Sequence, residues 1–209
     1  MMTRNYEALA KLYADVFAGP PWNEFTQDKE GCGQYFGLNT AVGQKCPSCA
    51  IGKLDLAYPL AETKQTIEQY LAKPGARLLT TTVAGDELVG FAWAYDQSPT
   101  EFANDKYQLD KSRPVVSQAL EAAGLLPNAN SYYISEVGIK SEYRGQGRGS
   151  ILVVGLLGIA IDKKLDAFLR TNVESPMVKI ARKKKMTQVA NFTDPENTAR
   201  VLFTKKLVL

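Results

Sequence analysis

The chain has 209 residues, 45% of them hydrophobic and 22% charged, with 25 basic against 22 acidic side chains. That size and balance describe one well-packed domain with room for insertions, not a disordered chain. A net charge of +3 is too small to argue for nucleic acid, and the absence of histidine excludes every imidazole base, triad or metal ligand.

The N-terminus, Met1-Met2-Thr3-Arg4-Asn5-Tyr6, lacks the apolar run that export needs. Tyr6, Leu9, Leu12, Tyr13, Val16 and Phe17 recur at helical spacing and predict an amphipathic helix ending before Gly19-Pro20-Pro21. Residues 22–59 have weak periodicity, many glycines and all three cysteines, and read as an irregular insertion. Glu62 to Ala72 reads as a helix stopped by Lys73-Pro74-Gly75. Arg77 to Val83 and Leu88 to Tyr95 read as strands joined by the hairpin turn Ala84-Gly85-Asp86-Glu87. Residues 96–130 are polar and broken by Pro99, Pro114 and Pro127, with one helix expected over Val115 to Leu125. An unstructured loop of that length is uncommon, so this is read as a functional insertion.

Ser131 to Lys140 is the next strand. An apolar helix, Gly149 to Lys164, follows it, with Gly155 and Gly158 expected to bring its backbone close to the sheet. Its apolar core, Ile151 to Ile161, is well short of the roughly 20 residues that span a bilayer. Ala167 to Asn172 is a strand and Pro176 to Lys184 a helix with proline in its first turn. Met186 to Phe192 and Arg200 to Leu207 close the chain as strands. No internal repeat is present.

The stretch from Glu136 to Gly149 carries the strongest chemical signal. A short apolar strand leads through a tight turn and alternating glycines into a helix. Free N–H groups at a helix start and the positive end of its dipole attract anions, and glycines let an anion approach. A P-loop needs Lys followed by Ser or Thr after its last glycine, whereas Gly149 is followed by Ser150-Ile151. A dinucleotide fingerprint needs G-x-G-x-x-G, whereas Gly145, Gly147 and Gly149 alternate strictly. What fits is Arg-x-x-Gly-x-Gly at Arg144, Gly147 and Gly149.

With Val137-Gly138-Ile139 before it and Tyr143 beside it, this motif closely resembles the acyl-CoA loop of the GNAT superfamily of N-acyltransferases. The resemblance implies an α/β (α+β) fold: a mixed, mostly antiparallel central sheet flanked by helices. It implies a single GNAT-like domain over residues 1–209 with insertions at 22–59 and 96–130. It implies acetyl-CoA as cosubstrate, with the pantetheine arm along Val137, Gly138 and Ile139. The pyrophosphate would lie on Arg144, Gly145, Gln146, Gly147, Arg148, Gly149 and Ser150. The basic run from Lys179 to Lys185 is either a solvated helix end or a guide for the anionic cosubstrate.

Acyl transfer to an amine needs a base, an oxyanion stabiliser and a leaving thiolate. Glu136 is the candidate base, because a carboxylate partly buried in a sheet has a raised pKa. A backbone N–H around Ile139 is the candidate for polarising the thioester carbonyl. The tyrosine that many GNAT enzymes place on the helix after the fifth strand is missing: Ala181, Arg182 and Lys183 stand there, and Asn197…Leu202-Phe203 offers only a Phe. Tyr132, Tyr133 and Tyr143 are the substitutes weighed, but a thiol of pKa about 8.5 is also a tolerable leaving group without an acid.

The three cysteines are an odd number, which favours a reducing compartment, and the cytoplasm is expected. Cys46-Pro47-Ser48-Cys49 is the kind of tight turn that holds zinc, with Cys32 a third ligand and an Asp, a Glu or water as a fourth; Asp28 and Glu30 are near in sequence. A bland loop or a redox pair are the other readings. The expected activity is therefore transfer of an acetyl group from acetyl-CoA to a primary amine on a small molecule or a peptide. No nucleic-acid or membrane partner is expected. The rival is a non-catalytic acyl-CoA-binding module, or a zinc-stapled interaction module, on the same fold.

Overall fold

A computed structural model describes residues 6–107, 111–194 and 198–207. Residues 1–5 of the N-terminal stretch read for export, and Asn197, lie outside them. The elements are α1 (Glu7–Ala18), three short strands β1 (Thr26–Gln27), β2 (Tyr35–Phe36) and β3 (Asp55–Leu56), then α2 (Leu60–Leu71), β4 (Arg77–Thr82) and β5 (Leu88–Gln97). Next come α3 (Pro99–Tyr107), α4 (Ser112–Ala122), β6 (Ser131–Ile139), α5 (Arg148–Asp162), β7 (Ala167–Asn172), α6 (Pro176–Lys183), β8 (Thr187–Thr193) and β9 (Ala199–Lys205).

The main sheet has six strands in the order β4-β5-β6-β7-β9-β8. Only the central β6–β7 pair is parallel; the others are antiparallel. This is the mixed, mostly antiparallel sheet expected from the sequence, with helices on both faces.

Period-2 alternation sorts the two faces. On β5, Phe91, Trp93 and Tyr95 join an aromatic core with α1, α2, α3 and α4. Between them Ala92 and Ala94 face the other way, into a core with α5 and α6. Small residues there let α5 lie close: a Cβ on Gly155 would sit 2.7 Å from the Leu79 side chain. Gly158, expected to do the same, faces open space. α6 starts with a capping serine, Ser175, whose hydroxyl accepts the Met177 N–H at 3.2 Å, and with proline at its first position.

Two expectations are corrected. Residues 22–59 are not irregular throughout, because β1 pairs with both β2 and β3 in a small second sheet. Its strands are two residues long, too short for hydrophobic alternation to register in the sequence. The second insertion holds two helices, α3 and α4, not one. Pro99 opens α3 and Pro114 lies in the first turn of α4, positions where proline's missing N–H costs nothing.

Candidate functional site

The site forms where the two central strands part. β6 and β7 pair from Tyr132 with Ala167 to Ile134 with Leu169 and no further, although both strands continue. A β-bulge explains the split. On β5, Trp93 faces Glu136 and Ala94 faces Ile134, so Ser135 is an extra residue on β6. A bulge bends its strand and increases the twist, which turns β6 away from β7.

The bulge also reverses which side chains face which core. Tyr132 and Ile134 belong to the α5–α6 side. Without the extra residue Glu136 would follow them there. Instead a Cβ on its face-mate Gly138 would meet Phe91 and Val16 of the aromatic side. Val137 and Ile139 pack on the α5–α6 side. Glu136 therefore opens into a cavity of about 300 Å³ on the aromatic side.

That cavity draws on widely separated elements. Tyr13 and Phe17 come from α1, Thr66 and Tyr70 from α2, and Trp22, Glu24, Tyr35 and Tyr58 from the first insertion. Lys106 comes from α3, Arg170 and Thr171 from β7, and Arg200 from β9. The Tyr58 hydroxyl donates to Glu24, and the Arg170 guanidinium donates to the Tyr107 hydroxyl at 3.0 Å. Arg200 pairs with buried Asp194 at 2.5 Å and lies over the Trp22 ring. Burial raises the pKa of Glu136, and the charges of Lys106, Arg170 and Arg200 only partly oppose that. Burial likewise pushes the phenols of Tyr13, Tyr58 and Tyr70 upward, so they hold their protons through the neutral range.

A second cavity of about 450 Å³ continues along the same edge of β6. Trp22, Val137, Ser175 and Met177 line both. Its walls include Ile139, Tyr143, Arg144, Gly145, Gly147, Arg148, Gly149, Ser150 and Lys179. Gly145 (φ 78°) and Gly147 (φ 79°) are left-handed, and a Cβ on either would point into open space. Gly147 is the N-cap of α5 and supplies no side chain to satisfy the first N–H groups of that helix. Lys140 donates its N–H to Val89 on β5. By alternation the N–H groups of Val137 and Ile139 face the opposite edge, where β7 no longer pairs.

Residues 53–183 of the sequence match the model of the acetyltransferase (GNAT) family. The chain belongs to the GNAT acetyltransferase family. Among solved structures, this family member is similar to a mosquito arylalkylamine N-acetyltransferase like 5b, at 16% identity and a TM-score of 0.49 over 71% of this chain and 82% of that one. It is similar to Arabidopsis thaliana NAA60 in complex with a bisubstrate analogue at 13% identity and 0.48, over 70% and 82%. For a nourseothricin acetyltransferase the figures are 13% and 0.43, and the match covers 63% of this chain and 65% of that one. No curated protein matches the sequence.

The GNAT loop places most, not all, of the expected residues on the second cavity. Val137, Ile139 and the Arg144–Ser150 segment line it, except Gln146, whose side chain accepts from Arg148 at 3.4 Å, and Gly138, which faces Phe91. Arg144 is committed to the backbone: it donates to the carbonyls of Ile139 (2.9 Å), Pro20 (2.8 Å) and Val16 (3.3 Å). Val16 lies in the last turn of α1, where a cation suits the helix dipole and the orphan carbonyls. The motif arginine thus fastens α1 to the end of β6. Lys179 is the member of the basic run that reaches the cavity wall.

Of the tyrosines weighed as acids, Tyr132 and Tyr133 are buried in the two cores and Tyr143 lies by the glycine loop. The tyrosines on the Glu136 cavity are Tyr13, Tyr35, Tyr58 and Tyr70, which the sequence reading missed. Tyr13 was legible only as a core position of α1, and the others carried no motif. The three cysteines do converge, and Asp28 joins them; the four ligand atoms lie within 4.8 Å of one another. No helix among the described residues is long and apolar enough to cross a membrane.

Proposed function

We propose that the chain transfers the acetyl group of acetyl-CoA to a primary amine. The observation that carries this is the opening between β6 and β7. It joins the glycine-loop cavity to the Glu136 cavity along one strand edge. The glycine-loop cavity takes the cosubstrate: α5's first N–H groups, Arg148 and Lys179 face the pyrophosphate, and Val137 and Ile139 pair with the pantetheine arm. The Glu136 cavity takes the acceptor. Its rings and its two carboxylates, Glu24 and Glu136, suit an ammonium group, whether on a small molecule or at a peptide end.

An amine is mostly protonated at neutral pH, so a base must first take its proton. Glu136, its pKa raised by burial, is matched to that task. The freed nitrogen attacks the thioester carbon, and an N–H of β6 at Val137 or Ile139 receives the oxyanion. The C–S bond then breaks and the CoA thiolate leaves at a pKa of about 8.5 without a dedicated acid; the second proton on the attacking nitrogen passes to that thiolate or to water, which gives the N-acetyl amine. A structural zinc ion on Cys32, Cys46 and Cys49 completes the proposal, in a compartment such as the cytoplasm that keeps thiols reduced. None of the three lines either cavity.

The test is a turnover assay with acetyl-CoA on a panel of amines, alongside calorimetry of acetyl-CoA binding. Acetylated product with Glu136-dependent turnover is expected. Binding without turnover on any amine would leave an acyl-CoA-binding module, and no binding would reject the assignment of the loop.

A further inference from the structure

The first insertion contains two hairpins whose tips meet. In one, Gln27 pairs with Tyr35, Asp28 donates its N–H to Gln34 at 3.0 Å, and Gly33 donates back to Asp28 at 2.8 Å. In the other, Lys45 bridges Lys53, Cys46 donates its N–H to Gly52 at 3.0 Å, and Ala50 donates to Cys46 at 3.0 Å. The first tip carries Asp28 and Cys32, and the second carries Cys46 and Cys49. β3, which pairs with β1, follows directly from the second hairpin and holds the tips together.

The spacing of the four side chains suits one ion. Zn–S bonds of about 2.3 Å at tetrahedral angles place neighbouring sulfurs about 3.8 Å apart, with oxygen somewhat closer. Cys32 and Cys46 sulfurs are 3.6 Å apart, and Asp28 Oδ2 is 3.4 Å from the Cys32 sulfur and 3.0 Å from the Cys49 sulfur. The surroundings of Asp28 also ask for a cation. The residue is 0% exposed, and its carboxylate receives only thiols and the N–H groups of Gly31 and Cys32, with no Lys or Arg paired to it among the described residues. A buried carboxylate without a cation is costly. The cradle is closed around it, since a Cβ on Gly31 or Gly52 would collide with the Asp28 carboxylate.

We infer that Asp28, Cys32, Cys46 and Cys49 bind one zinc ion as a two-hairpin ribbon in which an aspartate takes one of the four ligand positions. The set is closed, with no fifth position for substrate, so the ion is structural. Loading converts the three thiols to thiolates and releases three protons, while Asp28 binds as the carboxylate it already is. The ion fastens strands that the apolar core hardly holds. Tyr35 lies on β2, and Glu24 and Tyr58 flank β1 and β3, so the metal also fixes one wall of the Glu136 cavity. This assignment rests on the three-cysteine zinc reading proposed above and adds Asp28 to it, while the acetyl-transfer step does not depend on it.

The test uses the full chain, grown with zinc and purified without chelator. Elemental analysis should give one zinc per chain, lost in Cys46→Ser and in Asp28→Ala. Cobalt(II) exchanged into the site should show the visible bands of a tetrahedral ion and thiolate-to-cobalt charge transfer. Asp28→Cys should keep the metal and strengthen the charge-transfer band as a fourth thiolate joins, which covers the case in which Asp28→Ala does not fold. After chelation, hydrogen exchange should speed up over residues 24–58 while β5 and β6 stay protected. Zinc retained in Asp28→Ala would overturn the role of Asp28. A folded chain that takes up neither zinc nor cobalt, or a Cys32–Cys46 disulfide found by mass, would overturn the site.

Discussion

The glycine-loop cavity and the Glu136 cavity share a strand edge but are built by opposite means. The first comes largely from one run of sequence, β6 into α5, set on the six-stranded sheet and backed by the α5–α6 core. The second is assembled from α1, α2, α3, β7, β9 and the first insertion. Within residues 22–59 the buried hydrophobic side chains are Cys46, Leu54 and Ala57. That wall is held by side-chain polar contacts such as Tyr58 to Glu24 and Lys29 to Glu62, and by the cysteine cluster. On the proposed reading the cosubstrate is met by local backbone geometry, and the acceptor by side chains drawn from distant segments.

The largest effect that would break this division is at Glu136. Glu136→Gln should lower kcat by roughly 10²–10⁴, the contribution of a positioned base, and leave acetyl-CoA affinity unchanged by calorimetry. Wild-type activity should fall as pH drops through a pKa raised above the ordinary glutamate range by burial, and the mutant should lack that limb. Full activity in the mutant would remove Glu136 from the mechanism.

Gly147→Glu probes the other cavity. It places a charge beside the α5 N-terminus and should weaken acetyl-CoA roughly a hundredfold, the scale of a like-charge contact near a surface. Gly147→Ala carries the same left-handed strain, about 1–2 kcal/mol, without the charge. Equal loss of affinity in both would mean that strain, not electrostatics, governs the loop.

Arg144→Met sharpens the comparison, because this motif residue serves the fold. Loss of its three carbonyl contacts should cost about 2 kcal/mol of unfolding free energy in a denaturant titration, with a smaller change in acetyl-CoA affinity. A mutant of unchanged stability that loses the cosubstrate would return Arg144 to the phosphates.

The smallest effect is again at Glu136, now in stability. A carboxylate whose folded pKa is raised favours folding most in its protonated form, and that advantage fades as pH rises through the raised value. Glu136→Gln should therefore melt above wild type near neutral pH and match it below the ordinary glutamate pKa. Identical melting curves at both pH values would show that Glu136 is not desolvated.

Much of this protein is local and therefore legible in the sequence. The alternation of Phe91, Ala92, Trp93, Ala94 and Tyr95 fixes β5 and both its faces, and Ser175-Pro176 marks the start of α6. Gly145 and Gly147 announce left-handed turns before an apolar helix. In each case the cause lies within a few residues, in sterics and hydrogen bonding. Tertiary structure alone decided the rest. The extra residue at Ser135 depends on register with β5, and it both parts β6 from β7 and turns Glu136 to the aromatic side. The targets of Arg144 on α1, the gathering of Tyr13, Tyr35, Tyr58 and Tyr70, and the choice of Asp28 to join the cysteines likewise depend on contacts between distant segments. No periodicity encodes such contacts, because they are fixed only when the elements pack.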